Sequence, residues 1–128
     1  MIRFALSLVA ALVAVATPVY ACSCAPTDPK RLAARLEVLF EGRVIDQRRG
    51  IDIAGKPAAV VRVRVVRMVK GHRPASGVFT LFSNLSPMAC GVDYDPGYTG
   101  RFGANMHTGG LYTSSCIQFG LNRGTIGQ

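Results

Sequence analysis

Two of the four cysteines in this chain are separated by one residue, Cys22-Ser23-Cys24, and the other two, Cys90 and Cys116, lie far downstream. In an extended segment, residues two apart point to the same face, so a Cys22–Cys24 bridge would close a very small ring and strain the disulfide dihedral. Each therefore reaches a distant partner, which leaves two pairings open. Either pairing closes loops of tens of residues and stabilises by on the order of 4 kcal/mol per bridge in the chain-entropy picture. Whatever the fold, its N-terminal segment is stapled twice to the body.

What precedes the pair reads as an export signal. Arg3 supplies a positive start, Phe4 to Ala16 an apolar run, and Val19-Tyr20-Ala21 ends in a small residue at the cleavage position. Cutting after Ala21 makes Cys22 the mature N-terminus. Its α-amine is then ordered, whereas a chain end normally frays, and an ordered amine can do chemistry. A lipoprotein signal, which would acylate Cys22, is the rival reading; Tyr20 argues against it, since that pathway favours a small residue there. The apolar run is shorter than the roughly 20 residues that span a bilayer, so no transmembrane segment is expected.

Removing residues 1–21 leaves 107 residues (128 − 21), enough for one modest core, and with Arg3 gone the net charge falls from +8 to +7. All four cysteines follow the cut. In an exported, oxidising setting an even count reads as two disulfides in a secreted or periplasmic protein.

Thr27-Asp28-Pro29 is a helix start, with Asp28 as N-cap and Pro29 in the first turn. Leu32, Leu36 and Leu39 follow at helical spacing with Arg31 and Arg35 outward, which predicts one amphipathic helix of about three turns. Val38 to Val44 predicts a first strand, Arg48 to Pro57 a polar hairpin loop, and Ala59 to Val69 a long second strand in which Val61, Val63 and Val65 alternate with Arg62 and Arg64. Val65-Val66 breaks the alternation as a bulge does. A turn over His72 to Gly77 leads into a third strand, Val78 to Ser83. Nine of the 14 glycines lie between Gly91 and Gly127, so strands near Tyr98 to Ala104 and Gly110 to Ser115 are expected to be short and bent. Phe40, Phe79, Phe82 and Tyr98 read as core. Five short antiparallel strands with one short N-terminal helix predict a mainly β fold, a five-stranded barrel of the oligonucleotide/oligosaccharide-binding (OB) type.

The segment Cys22-Ser23-Cys24-Ala25-Pro26-Thr27-Asp28-Pro29 resembles the mature start of the tissue inhibitors of metalloproteinases, C-[ST]-C-x-P-x-x-P leading into a helix. Met68-Val69-Lys70-Gly71, Ala89-Cys90-Gly91 and Leu111 to Cys116 match further along in the same order. The resemblance covers residues 22–128. It implies a netrin-like OB barrel, the bridges Cys22–Cys90 and Cys24–Cys116, and an inhibitor of zinc metalloproteases; a monomer is expected. It also implies the contact residues: the amine and carbonyl of Cys22 on the enzyme's zinc, Ser23 in the adjoining pocket, and Cys24, Ala25, Met88 and Ala89 alongside. A bidentate ligand at the open position of a catalytic zinc displaces the nucleophilic water. The family's third inhibitory-domain disulfide, its C-terminal domain and its first-strand motif are not reproduced; Val38-Leu39-Phe40-Glu41-Gly42-Arg43 stands in the last position. The chain looks like a minimal bacterial relative.

Other classes are weaker. Cys-x-Cys also serves as a plain structural staple, and netrin-like modules occur in proteins that inhibit nothing. The spacing is not the C-x-x-C of redox proteins, and only His72 and His107 could join the cysteines in a resident metal site, so no cofactor is expected. No nucleophile, base and orienter stand out, and no enzyme is predicted. Arg62, Arg64, Arg67, Lys70 and Arg73 form a basic run, which makes a binding module for polyanions or envelope components the alternative function. Runs of this kind are more often the solvated face of a strand.

Overall fold

The computed structural model describes residues 22–26 and 28–122; residues 1–21, where the export signal and its cut site are expected, Thr27 and residues 123–128 lie outside them. Helix α1 spans Pro29–Arg35, and the Asp28 carboxylate accepts from the Lys30 amide at 3.3 Å, the cap anticipated from Asp-Pro. The helix is a turn shorter than its leucine spacing suggests. Leu36 is already extended and Leu39 lies in a strand, yet Leu36, Leu39 and Leu121 share one buried cluster. The same apolar spacing is satisfied by a chain that turns into a sheet. Lys70 donates to the carbonyls of Ala33 and Ala34 at 3.4 and 3.2 Å, satisfying acceptors that a helix end leaves open.

Strands β1 (Val38–Ile51) and β2 (Pro57–Lys70) form one long hairpin. The expected loop over Arg48 to Pro57 is therefore a correction: Arg48 and Arg49 pair with Val60 and Ala59, and only residues 52–56 turn. Polarity misled there because this end of the ribbon is solvated, not because it is irregular. The Asp52 carboxylate closes the turn by accepting from the Lys56 amide at 2.9 Å. The register steps past Val66, the bulge expected from Val65-Val66, and also past Ile45 and Val69. Such bulges increase local twist and let a short sheet close on itself.

Strand β3 occupies Val78–Ser83 as expected, β4 spans Thr99–His107 and β5 Gly110–Tyr112. The hydrogen-bonded order β1-β2-β3-β5-β4 returns to β1, which pairs with β4, so the five-stranded sheet is a ring. Not all contacts are antiparallel, however. β5 runs parallel to β3 through Leu81↔Leu111 and Phe82↔Tyr112. The last expected strand is also cut short, because Ser115–Asn122 forms a second helix, α2, packed on β4.

Phe40 stacks on Phe79 and Phe102 with ring centroids 4.5 and 5.6 Å apart, inside a shell of Val44, Val61, Val63 and Leu81. Phe82 belongs to a separate cluster with Ala58 and Val60. Tyr98 is not core: it is 39% exposed and meets Phe102 only edge-on. Two glycines of the glycine-rich third mark close approach. A Cβ on Gly103 would stand 2.4 Å from Leu36 Cδ1, and one on Gly120 2.5 Å from Leu32 Cδ2. Both helices can thus lie against the sheet and each other.

Candidate functional site

Residues 22–26 carry no helix or strand and are exposed apart from the half-buried Cys22. Such a segment lacks the regular ladder of a helix or strand. Two bridges tie it to the body, Cys22–Cys90 and Cys24–Cys116, with Cα–Cα distances of 5.0 and 5.3 Å. This is the pairing the resemblance implies. The bridges lie against each other: Cys116 Sγ is 3.8 Å from the sulfurs of both Cys22 and Cys90, and Cys22 Sγ is 3.8 Å from Ser115 Oγ. Cys22 is thereby lodged between a one-turn 3-10 helix, Pro87–Ala89, and the first turn of α2.

The two anchor points are tied together independently of sulfur. The Ser115 amide donates to the Cys90 carbonyl at 2.9 Å. Cys90 itself is left-handed (φ 65°), and the Ala89 and Gly91 amides both donate to the Ser86 carbonyl at 3.0 Å. A Cβ on Gly91 would sit 2.1 Å from the Asn84 carbonyl oxygen and 2.7 Å from that of Ser86, both backbone atoms that cannot move aside. Gly91→Ala is therefore expected to destabilise by about 3 kcal/mol, as overpacking against atoms that cannot yield does. Urea unfolding of the two proteins measures it, and an unchanged midpoint would show that the corner is not needed.

Met88 (43% exposed) and Ala89 stand on the turn that carries Cys90, so the Cys22–Cys90 bridge places the Met88-Ala89 segment beside the Cys-Ser-Cys segment. On the other side lies a cleft of about 280 Å³ lined by Cys24, Ala25, Pro26, Ile117 and Phe119. Phe119, 61% exposed on α2, is a surface feature the sequence reading did not identify. The last expected element ends at Ser115, so the helix beyond it and its outward face went unanticipated. The sulfurs of Cys22, Cys24 and Cys116 lie within 4.8 Å of one another, but every cysteine is in a disulfide and offers no thiolate to a metal. His72 and His107 are both exposed, His107 edge-on to the Tyr112 ring.

The basic run is not one free face. Arg62 holds Asp46 through both Nε and Nη2, and Arg67 holds Glu41 at 2.9 Å, with Arg101 Nε 3.9 Å away. Lys70 caps α1, and the Arg73 guanidinium rests against Gly77. Hydrogen bonding to Arg67 holds the Glu41 carboxyl below its usual range, and Arg62 does the same for Asp46. A carboxylate whose folded pKa is depressed adds stability above its unfolded pKa and loses it as the pH falls through the folded value. Arg67→Gln is accordingly expected to raise the Glu41 titration midpoint toward the ordinary range while Asp46 stays low, which a carboxyl-detected NMR titration resolves residue by residue.

Among the described residues no helix is long and apolar enough to cross a membrane. The chain matches no family model and no curated protein.

Proposed function

We propose that the mature chain is an exported inhibitor of zinc metalloproteases, a netrin-like relative of the tissue inhibitors of metalloproteinases, whose warhead is the α-amine and carbonyl of Cys22. One observation carries the reading. Residues 22–26 are an exposed, non-regular segment that two adjacent disulfides nonetheless hold in place. An inhibitor that inserts its own terminus into an active site needs this combination, because a preordered segment avoids the entropy of immobilisation on docking. The five-stranded ring with its parallel β3–β5 contact supports an OB-type barrel beneath it.

The chemistry sets its own pH dependence. An α-amine with pKa near 7.7–8.0 must be neutral to ligate zinc, so protons compete with the metal. Inhibition weakens on acidification, by about tenfold per pH unit well below the amine's pKa. Ser23→Gly removes one pocket contact, worth about 1 kcal/mol, and raises the inhibition constant about fivefold.

The test is a panel of secreted zinc proteases titrated with the exported protein, after mass spectrometry has established an unmodified Cys22 at its N-terminus. Potent inhibition of at least one protease that fades with falling pH is the expected result. Inactivity against the whole panel with an intact Cys22 amine would sink the reading, as would a processed N-terminus at another residue.

A further inference from the structure

The outer face of the β1–β2 ribbon carries three successive cross-strand charge pairs: Glu41↔Arg67, Arg43↔Arg64 and Asp46↔Arg62. They share one face only because of the bulges. Val66 is the extra residue between Arg64 and Arg67, and Ile45 the extra residue between Arg43 and Asp46. The two outer rungs join acid to base, and each makes an ion pair. The middle rung joins base to base.

Like charges directly opposite on neighbouring strands repel, and nothing nearby relieves this pair. Among the described residues no carboxylate lies within 4.0 Å of Arg43 or Arg64, not even Asp95 in the adjoining loop. Glu41 and Asp46 are held by other arginines. Arg43 and Arg64 line a cleft of about 420 Å³ with Val44, Ile45, Pro96 and Gly97. The Arg43 head lies beside Gly97, which puts no side chain over it; a Cβ there would stand 3.4 Å from Arg43 Nη2. The backbone amides of Val44 and Gly97 already donate to Tyr98 and Val44 carbonyls. What the cleft offers an occupant is therefore two permanent positive charges, each a fork of N–H donors.

We propose that Arg43 and Arg64 bind the terminal phosphate of a phosphate monoester. Such a group carries about −1.5 to −2 charge near neutral pH and three acceptor oxygens, which matches two guanidinium forks and cancels their repulsion. A sulfate ester or a carboxylate brings a single negative charge and leaves the rung half-compensated. The site is independent of the Cys22 reading and lies on a different part of the chain.

Calorimetric titration of the mature protein with glycerol 3-phosphate tests a soluble ester, and co-sedimentation with phosphatidylcholine vesicles containing phosphatidic acid tests the same group on a lipid. Saturable binding in either arm supports the site and identifies the source, with methyl sulfate binding more weakly than glycerol 3-phosphate at equal ionic strength. Arg43→Gln and Arg64→Gln should each weaken binding at least about tenfold. Arg43→Lys should weaken it too, because the charge stays but the fork is lost. The double variant Arg31→Gln, Arg35→Gln, which removes two charges from exposed positions of α1, should bind as the native protein does. Removing the repulsion should leave the melting temperature of Arg43→Gln unchanged or higher, so loss of binding cannot be ascribed to unfolding. No saturable binding in either arm overturns the proposal, and so does an equal loss in the Arg31/Arg35 variant.

Discussion

Removing the Cys24–Cys116 bridge by replacing both cysteines with Ala should lower the unfolding free energy by about 3.5 kcal/mol while Cys22–Cys90 remains in place. The value follows from how the two bridges are nested. Considered alone, the loop from Cys24 to Cys116 has a sequence separation of 92. Once Cys22 is bonded to Cys90, however, the second bridge closes only the 26-residue stretch from Cys90 to Cys116 plus the short Cys22-Ser23-Cys24 link. The entropy removed from the unfolded chain is that of this smaller ring. Removing Cys22–Cys90 alone opens the same ring and should cost a similar amount. Removing both releases the long loop as well, about 8 kcal/mol in all. Domains of this size are stable by only about 5–15 kcal/mol, so the doubly unbridged chain is expected to lose half or more of its stability. Urea unfolding under non-reducing conditions gives the three values. Single losses much nearer zero would mean that the bridges serve to place residues 22–26 rather than to hold the body together.

The elements legible in the sequence were those whose signal is local. Asp28-Pro29 marked the start of α1 because capping and proline chemistry act within one turn, and Val78 to Ser83 stood between clear turn signals. Val65-Val66 announced a bulge because it breaks a period of two. What escaped was set by tertiary contacts. Leu39 fits a helix period and a strand equally, and only the shared cluster with Leu36 and Leu121 decides between them. Arg48 and Arg49 look like loop residues until their partners on β2 are known. α2 was missed because Gly120 weakens a helix locally; its small size is needed where Leu32 crosses. The parallel β3–β5 contact joins residues that no sequence pattern connects.

The same division holds for the functional surfaces. Cys-Ser-Cys could be singled out from its spacing, since two same-facing cysteines that form disulfides must find distant partners. That the two bridges touch, and that Cys22 rests on Ser115, depends on how α2 and the Pro87–Ala89 turn come together. The basic run was visible as composition, yet its charges divide by register. Arg62 and Arg67 face acids, whereas Arg64 faces Arg43, a residue outside the run. Sequence spacing on β2 alone carries no record of which β1 residue stands opposite.

On the proposed mechanism, adding one alanine ahead of Cys22 as the mature N-terminus should cut inhibition of a zinc protease by orders of magnitude while leaving the fold intact. The extension changes little that holds the body together. Both bridges form from the same sulfurs, the core lies in the ring of strands, and residues 23–26 are exposed, so an extra residue projects from a surface segment. The melting temperature should be that of the native protein. The chemistry changes completely, because the Cys22 nitrogen becomes a peptide amide whose lone pair is delocalised into the carbonyl and is no longer a useful zinc ligand. The added residue also occupies the space through which the metal must approach. With chelation gone, the remaining contacts through Ser23, Ala25, Met88 and Ala89 are ordinary surface contacts, and potency should fall by orders of magnitude rather than by the about fivefold expected for Ser23→Gly. The residual inhibition should also lose its dependence on pH near 7.7–8.0, because the α-amine that titrates there is no longer at the metal. Equal potency of the native and extended proteins would mean that Cys22 does not ligate the zinc. A loss of potency accompanied by a lower melting temperature would mean instead that the extension had disturbed the Cys22–Cys90 bridge, and a non-reducing disulfide map separates the two outcomes.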